Sequence, residues 1–165
     1  MKHHRITLFV LAALFLAACN STKPGLITGP GSMDMFSPTK MRLHPLSRFV
    51  AGDKNSPPTI EARLEFTDQF GDVTKSPGTV YFELFRYENF SLNHHGPRLN
   101  LYNFQLSSPE ANKEHWDPIT RTYLFQLPLS ADTLKPGSRL VLSATLNSTA
   151  GESTRLKDDL TLTVK

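Results

Sequence analysis

The chain has 165 residues, which is the size of one ordinary domain. It carries 18 Lys and Arg against 15 Asp and Glu with no run of like charges, so its charge does not favour a nucleic-acid partner. A single cysteine excludes an intramolecular disulfide, and a lone cysteine in an exported chain is expected to be reactive or modified.

The first 18 residues have the three parts of a secretory signal peptide. A basic start with Lys2 and Arg5 leads into an apolar run from Ile6 to Ala18 that ends in small residues. This run of 13 residues is shorter than the roughly 20 that a helix needs to cross a bilayer. We predict that residues 1–18 are removed, which leaves 16 basic and 15 acidic side chains.

Leu16, Ala17, Ala18 and Cys19 resemble the lipobox of bacterial lipoproteins. The resemblance implies that the Cys19 thiol receives a diacylglyceryl group, that the leader is cut before Cys19, and that the new amino group is acylated. Several acyl chains make a firm anchor, whereas one chain holds a protein only marginally. In Gram-negative lipoproteins an aspartate after the cysteine often marks inner-membrane retention, so Asn20 favours the outer membrane.

Residues 19–38 are rich in Gly, Pro, Ser and Thr and have neither helical nor strand periodicity. We predict a flexible tether there, followed by one domain over residues 39–165. Met33, Met35 and Phe36 are the apolar cluster of the tether. They either dock on the domain as its first edge or form a segment that touches a partner or the membrane.

The rest of the chain alternates between apolar and polar residues, which is typical of strands with one buried face. Residues 41–49 form a weak strand that Pro45 interrupts, so we expect an edge or a kink there. The clearest run is 60–66, in which every second residue is apolar. It ends at a turn in which Gly71 can take a positive φ.

Residues 79–87 carry bulky side chains on both faces. We therefore expect a central strand with a partly covered second face. The next strand, 98–106, changes the phase of its apolar residues, and a β-bulge near Leu101 or Tyr102 would explain the change.

One short helix is predicted at residues 109–115, because Ser108 can cap its N-terminus and Pro109 suits its first turn. Three further strands are predicted at residues 119–127, 139–147 and 156–164. In the last of them, Asp158 and Asp159 are expected to face solvent or to mark a bulge.

About seven strands with turns between them, one short helix and no alternation of strands with helices predict an all-β antiparallel sandwich. Residues 133–146, a Pro-Gly turn followed by an apolar strand, resemble the approach to the penultimate strand of immunoglobulin-like and transthyretin-like domains. The resemblance implies a β-sandwich of that kind. It carries no site residues, because the two cysteines and the central tryptophan of antibody domains are not in this sequence.

No spacing in the sequence selects a catalytic or metal site. His94 and His95 are adjacent and point apart on extended backbone, so a metal ion would need ligands such as Asp68, Asp72 or His115. Solvated loop histidines and turn carboxylates that accept backbone N–H bonds explain these residues more simply. With no G-x-S-x-G sequence and no phosphate-binding loop, we predict no catalytic residues, no metal and no cofactor.

Aromatic residues on strands usually pack in the core or against a neighbouring strand. If some form a binding surface, the second face of strand 79–87 is the expected place. Tyr81, Phe85 and Tyr87 are therefore the candidate binding surface. An exposed sheet edge could also recruit a strand from a partner by β-augmentation.

The sequence thus predicts a membrane-anchored bacterial envelope lipoprotein whose β-sandwich is a non-catalytic binding or scaffolding module. Its expected partners are the lipid bilayer, through acylated Cys19, and an envelope protein, with no nucleic acid. One alternative is a secretion-system subunit, because the small lipoprotein of type VI secretion systems is also a lipid-anchored, transthyretin-like sandwich. Another is a hydrolase with a site built from loops 68–78, 88–97 and 107–118.

Overall fold

The computed structural model describes residues 34–130, 134–149 and 154–164. Cys19, the leader and the tether up to residue 33 lie outside the described residues, so what is predicted for them stays a prediction. Within the described part of the chain, no helix is long and apolar enough to cross a membrane.

Ten strands and one short α-helix are found in the described residues, which confirms the predicted antiparallel β-sandwich. The strands are β1 (Lys40–Leu43), β2 (Arg48–Val50), β3 (Thr59–Thr67), β4 (Val73–Thr74), β5 (Gly78–Tyr87), β6 (His95–Gln105), β7 (Trp116–Asp117), β8 (Thr122–Pro128), β9 (Arg139–Ser148) and β10 (Arg155–Thr163). The helix α1 is Pro109–His115, capped by the Ser108 side chain as predicted.

The strands form a sheet of six and a sheet of four. In the first, the order is β1-β3-β8-β7, and β2 and β4 also pair with β3. In the second, the order is β10-β9-β5-β6, so β5 is central as predicted. The count exceeds seven because Pro45 separates β1 from β2 and because β4 and β7 are pairings of two residues, too short to leave a period in the sequence.

The bulge in β6 lies earlier than predicted. The pairing of β5 with β6 skips a residue at Leu99, whereas Leu101 and Tyr102 pair regularly. The phase change was misplaced because Leu101 is not a core residue: it faces outward and is half exposed.

The core lies between the two sheets. Every second residue of β3 from Ile60 to Phe66 is fully buried, as the period of two predicts. The ring centroids of Phe82 in β5 and Phe125 in β8 lie 5.0 Å apart, which joins the two sheets. Burying one such side chain stabilises the fold by about 1.5–3 kcal/mol relative to leaving it exposed.

The two flanks of the sandwich differ. On one flank β1 lies against β10, and the Leu43 N–H donates to Asp158 Oδ2 at 2.7 Å. Asp158 is therefore partly buried on the inner side of β10, which corrects the expectation that Asp158 and Asp159 both face solvent or form a bulge. On the other flank β6 and β8 are not paired with each other, and α1 packs beside β8.

We predict that Asp158→Ala lowers the free energy of unfolding by about 1–3 kcal/mol, because the Leu43 N–H loses its acceptor in a partly buried position. Asp158→Asn keeps an acceptor oxygen and is the matched control, with a smaller loss expected. Urea unfolding followed by circular dichroism measures both. Equal losses in the two variants, or none in either, would contradict a stabilising bridge on this flank.

Candidate binding edge of the four-stranded sheet

The predicted aromatic surface lies on the outer face of the four-stranded sheet. Tyr81, Phe85 and Tyr87 are half-buried and share this face of β5. Val141 and Thr145, which sit beside them on β9, are buried although they also face outward. Neighbouring side chains therefore cover much of this face, as predicted for β5.

Two histidines, one at the end of the turn between β5 and β6 and one at the start of β6, cover two of the three aromatic residues. His95 stacks on Phe85 with ring centroids 4.2 Å apart, and His94 stacks on Tyr87 at 4.6 Å. The Arg139 guanidinium lies 3.7 Å from the centre of the Tyr87 ring. Phe85 and Tyr87 are thus packed by the domain itself, and the two histidines serve as their ring partners.

His95, Asp159 and Ser143 lie in one region of this face, and they are the residue types of a Ser-His-Asp catalytic triad. His95 Nε2 lies 3.1 Å from Asp159 Oδ2, and Ser143 is the register partner of Asp159 on β9. Ser143 is only 1% exposed, and its Oγ has no hydrogen-bond partner within the described residues. A nucleophile needs a base within hydrogen-bond reach and access to substrate, and Ser143 has neither in this arrangement.

Tyr81 differs from the other two aromatic residues because it lines an open groove of about 320 Å³. This groove, called the outer groove below, crosses all four strands of the sheet. Its walls are Tyr81, Glu83, Arg98, Leu101, Thr145, Asn147 and Arg155. Arg98 and Glu83 form an ion pair at 2.9 Å, whereas Arg155 has no carboxylate partner among the described residues.

β6 is one of the two edge strands of this sheet, and half of its backbone groups point away from its neighbour β5. The Leu106 N–H donates to the Gly78 carbonyl oxygen at 2.7 Å. Residues of an antiparallel strand direct their backbone groups alternately to one side and the other. The even-numbered residues beyond the bulge therefore bond to β5. The groups that point away, with no strand paired to them in the described part of the chain, belong to Leu101, Asn103 and Gln105.

Natural edge strands are usually blocked against strand addition by a lysine, a proline, a charge or a bulge. In β6 such features occur only near the start, where Pro97, Arg98 and the bulge at Leu99 lie. No charged residue and no proline follows up to Gln105. Residues 101–105 therefore form an unblocked segment, called the open edge below.

β8, which faces β6 across the open flank, is closed by contrast. His115 Nδ1 lies 3.3 Å from the Leu124 carbonyl oxygen, and the Tyr102 hydroxyl donates to the Pro128 carbonyl oxygen. Pro128 has no N–H to offer to a further strand. Strand addition on this flank is thus favoured at β6 rather than at β8.

A second cleft, called the inner cleft below, opens beside the same edge, between β6, α1 and β8. Its volume is about 390 Å³. Its walls are Phe104, Glu114, His115, Trp116, Asp117, Leu124 and Gln126. The Lys75 ammonium lies 4.7 Å from the centre of the Trp116 ring, so the cleft is aromatic with a charged rim.

α1 is held in place by two of its side chains, Asn112 and His115, and His115 packs against Phe104 and Phe125. Asn112 donates to the Leu106 carbonyl oxygen and accepts from the Tyr123 hydroxyl. Burial raises the pKa of Tyr123 to about 12, so this hydroxyl stays protonated and remains a donor. The helix therefore keeps a fixed position beside the open edge.

β7 forms another wall of the inner cleft, and Arg63 bonds to its Asp117 and to the turn that follows it. Arg63 Nη1 lies 2.8 Å from Asp117 Oδ2 and 2.8 Å from Thr120 Oγ1. The Arg63 guanidinium, together with the Thr120 hydroxyl and the Ile119 N–H, lowers the pKa of Asp117 to about 2. Asp117 is therefore a structural carboxylate, paired within the domain.

A larger cleft of about 590 Å³ lies away from this edge. It is lined by the loop 51–58 with Phe49, Leu134, Pro136 and Val164. Asp53 Oδ1 accepts from the N–H groups of Asn55 and Ser56 and from the Ser56 hydroxyl, and these bonds lower the pKa of Asp53. Because the Asp53 carboxylate is bonded within its own loop, we place the candidate binding site at the edge of the four-stranded sheet and not in this cleft.

The candidate metal ligands do not converge. Asp68 Oδ1 accepts from the N–H groups of Phe70 and Asp72, which confirms a turn carboxylate, and Gly71 has the expected positive φ of 87°. His115 belongs to the inner cleft. Among the residues that the structure describes, no three His, Cys, Asp or Glu side chains are grouped to hold a metal ion.

The described domain is therefore a two-sheet antiparallel β-sandwich with one unblocked edge between two clefts. Comparison of the chain with protein-family models, curated proteins and solved structures found no match.

Sequence reasoning named an exposed sheet edge in general but did not locate it at Leu101, Asn103 and Gln105. One signal was present: seven residues without charge or proline, 99–105, follow the bulge and precede a helix rather than a hairpin. A strand that is followed by a helix has no hairpin partner after it in the sequence, and this favours a position at the edge of a sheet.

We predict that Asp117 makes the fold sensitive to acid between about pH 4 and about pH 2. Its pKa is about 2 in the folded chain and about 4 when unfolded, so its contribution is present above the unfolded value and is lost as pH falls through the folded value. Asp117→Asn should lower stability at neutral pH and flatten this dependence. Thermal unfolding across the pH range measures it, with Asp72→Asn as control. An unchanged slope in Asp117→Asn would contradict the Arg63 pairing.

Proposed function

We propose that this chain is a bacterial envelope lipoprotein, anchored through Cys19, whose immunoglobulin-like or transthyretin-like sandwich binds an extended polypeptide segment by strand addition to β6. The unpaired backbone of the open edge is the observation that carries the binding part. The anchor part rests on the leader and on the four residues that end at Cys19.

The anchor would place the domain close to a membrane, with the outer membrane favoured by Asn20. Residues 34–36 form a short 3-10 helix, and the Phe36 carbonyl oxygen accepts from the Thr74 hydroxyl, so the tether can include only residues 20–33. A flexible tether of about 14 residues spans roughly 20 Å on average, so the domain would work near the bilayer surface, facing the periplasm or the exterior. A partner of the envelope could reach the open edge there. The role is that of a non-catalytic binding module.

Strand addition uses the backbone for affinity and side-chain pockets for selectivity. A segment laid along β6 would bond to the free N–H and C=O groups of Leu101, Asn103 and Gln105. Its side chains would alternate between the two sides of the sheet. One set would lie on the outer face at the border of the outer groove, and the other set would lie over the inner cleft.

The side chains around the edge suggest what such a segment contains. On the outer face, Leu101 favours an apolar residue opposite it, whereas Asn103 and Gln105 favour residues that form hydrogen bonds. On the inner side, Phe104 and Trp116 favour an aromatic or aliphatic residue. Because the open edge carries no charge, hydrogen bonding and burial would decide recognition rather than net charge.

We predict that the wild-type protein lacks residues 1–18, carries lipid on Cys19 and partitions into the membrane. Cys19→Ser should remain uncleaved or without lipid, because the acylated thiol is gone. Intact mass and detergent phase partition of both proteins measure this. A soluble wild type of unmodified mass would contradict the anchor.

We predict that Asn103→Pro abolishes strand addition, because it removes an N–H that points away from the sheet and bonds to no strand of the domain. Proline is tolerated at such a position of an edge strand, so the fold should persist. Asn103→Ala is the matched control, since it removes the side chain and keeps the N–H.

The measurement is the affinity of both variants for peptides selected on the wild-type protein from a displayed library of random sequence. Affinity should fall about tenfold or more in Asn103→Pro and change little in Asn103→Ala. Thermal unfolding checks that both variants are folded. If no peptide is selected, or if a folded Asn103→Pro binds like the wild type, strand addition at β6 is wrong.

A further inference from the structure

The turn between β5 and β6, residues 88–94, carries two large apolar side chains in full contact with solvent. Phe90 is 99% exposed and Leu92 is 98% exposed. Exposed apolar residues that occur singly are common on protein surfaces. Two of them at the tip of one protruding turn mark an interaction site. They are called the apolar tip below.

The base of this turn is fixed by several contacts. The Glu88 N–H donates to the His94 carbonyl oxygen at 2.9 Å, and His94 stacks on Tyr87. Arg139 Nη2 donates to Asn89 Oδ1 at 3.0 Å. A turn that is already ordered loses little conformational entropy when its tip binds to a partner or to a membrane surface.

Cationic side chains lie at or near the base of the turn rather than at its tip. Arg86 precedes the turn, Arg139 packs at its base, and Lys135 lies in the turn that leads into β9. None of the three has a carboxylate partner among the described residues, and Glu88 is the one acidic residue between 86 and 94. The arginines that flank the turn, Arg86 and Arg139, therefore outnumber the one acidic residue within it.

We propose that the apolar tip inserts into the surface of a bilayer that contains anionic phospholipids. At the surface of a bilayer, the apolar side chains of the tip would be buried among the acyl chains. The arginines behind them would lie at the level of the headgroups and contact phosphates. A flat bilayer accepts a convex tip, whereas a protein partner would need a pocket for each side chain. This contact is separate from strand addition.

The position of the tip is compatible with the proposed anchor. β1 begins at the end of the sandwich where β3 ends, and the ten residues of β5 carry the tip about 30 Å from that end. A tether of residues 20–33, about 14 residues, extends to at most about 50 Å, so the tip can reach the membrane that holds Cys19 when the sandwich lies along it. The tip would be a second, reversible contact, and it does not depend on the acylated cysteine.

The experiment places one tryptophan in the tip. A Trp116→Phe background removes the chain's single tryptophan, and Phe90→Trp then reports on the tip. Leu46→Trp is the matched control, because Leu46 is also apolar and exposed but lies between β1 and β2, on the β1–β10 flank. The mature proteins are reconstituted with vesicles of phosphatidylcholine and phosphatidylglycerol that have brominated acyl chains.

We expect bromine to lower the Phe90→Trp emission about twofold or more and to leave the Leu46→Trp emission nearly unchanged, because insertion is confined to the tip. Vesicles without phosphatidylglycerol, or the added change Arg86→Gln, should weaken the quenching. Absent quenching of Phe90→Trp, or equal quenching of both tryptophans, would overturn the inference. Quenching of Phe90→Trp in the Cys19→Ser protein, which cannot carry the lipid, would support the inference independently of the anchor.

Discussion

A row of aromatic rings between the sheets holds this sandwich together. Phe66 packs on Tyr123, and Phe125 contacts both Phe82 and Phe104, with ring centroids 5.0 and 4.8 Å apart. The row ends at Phe104, which belongs to β6 and is only half-buried. The inner face of β6 is thus anchored to the core at the place where the core meets solvent, and this position creates the open edge.

The unequal flanks follow from the way each one satisfies its backbone. On the β1–β10 flank a side-chain carboxylate reaches across and caps the Leu43 N–H, so the flank is closed. On the other flank α1 and Tyr102 satisfy carbonyl groups of β8 but leave the outward groups of β6 unbonded within the described residues. Within the described residues, the β6 edge is therefore left open, whereas the β1–β10 flank is bridged by the Asp158 carboxylate.

Much of the fold could be predicted from the sequence, because burial on one face imposes a period of two. Residues 60–66, 79–87 and 139–147 are strands as predicted, and Ser108 caps a helix at the predicted place. The candidate site was harder to predict, because periodicity shows which face of a strand is buried but not which strands are neighbours. The open edge at Asn103 depends on which strands are neighbours in the sheet, and the stacking of the histidines on aromatic residues depends on the conformation of the turn between β5 and β6.

Amide hydrogen exchange, resolved for each residue of β6, tests the open edge most directly. In the purified protein we expect exchange rates to alternate along β6. Exchange should be slow at Tyr102 and Phe104, whose N–H groups bond to β5, and fast at Leu101, Asn103 and Gln105. Uniformly slow exchange from 101 to 105 would show that this edge is already paired, and it would contradict strand addition at β6.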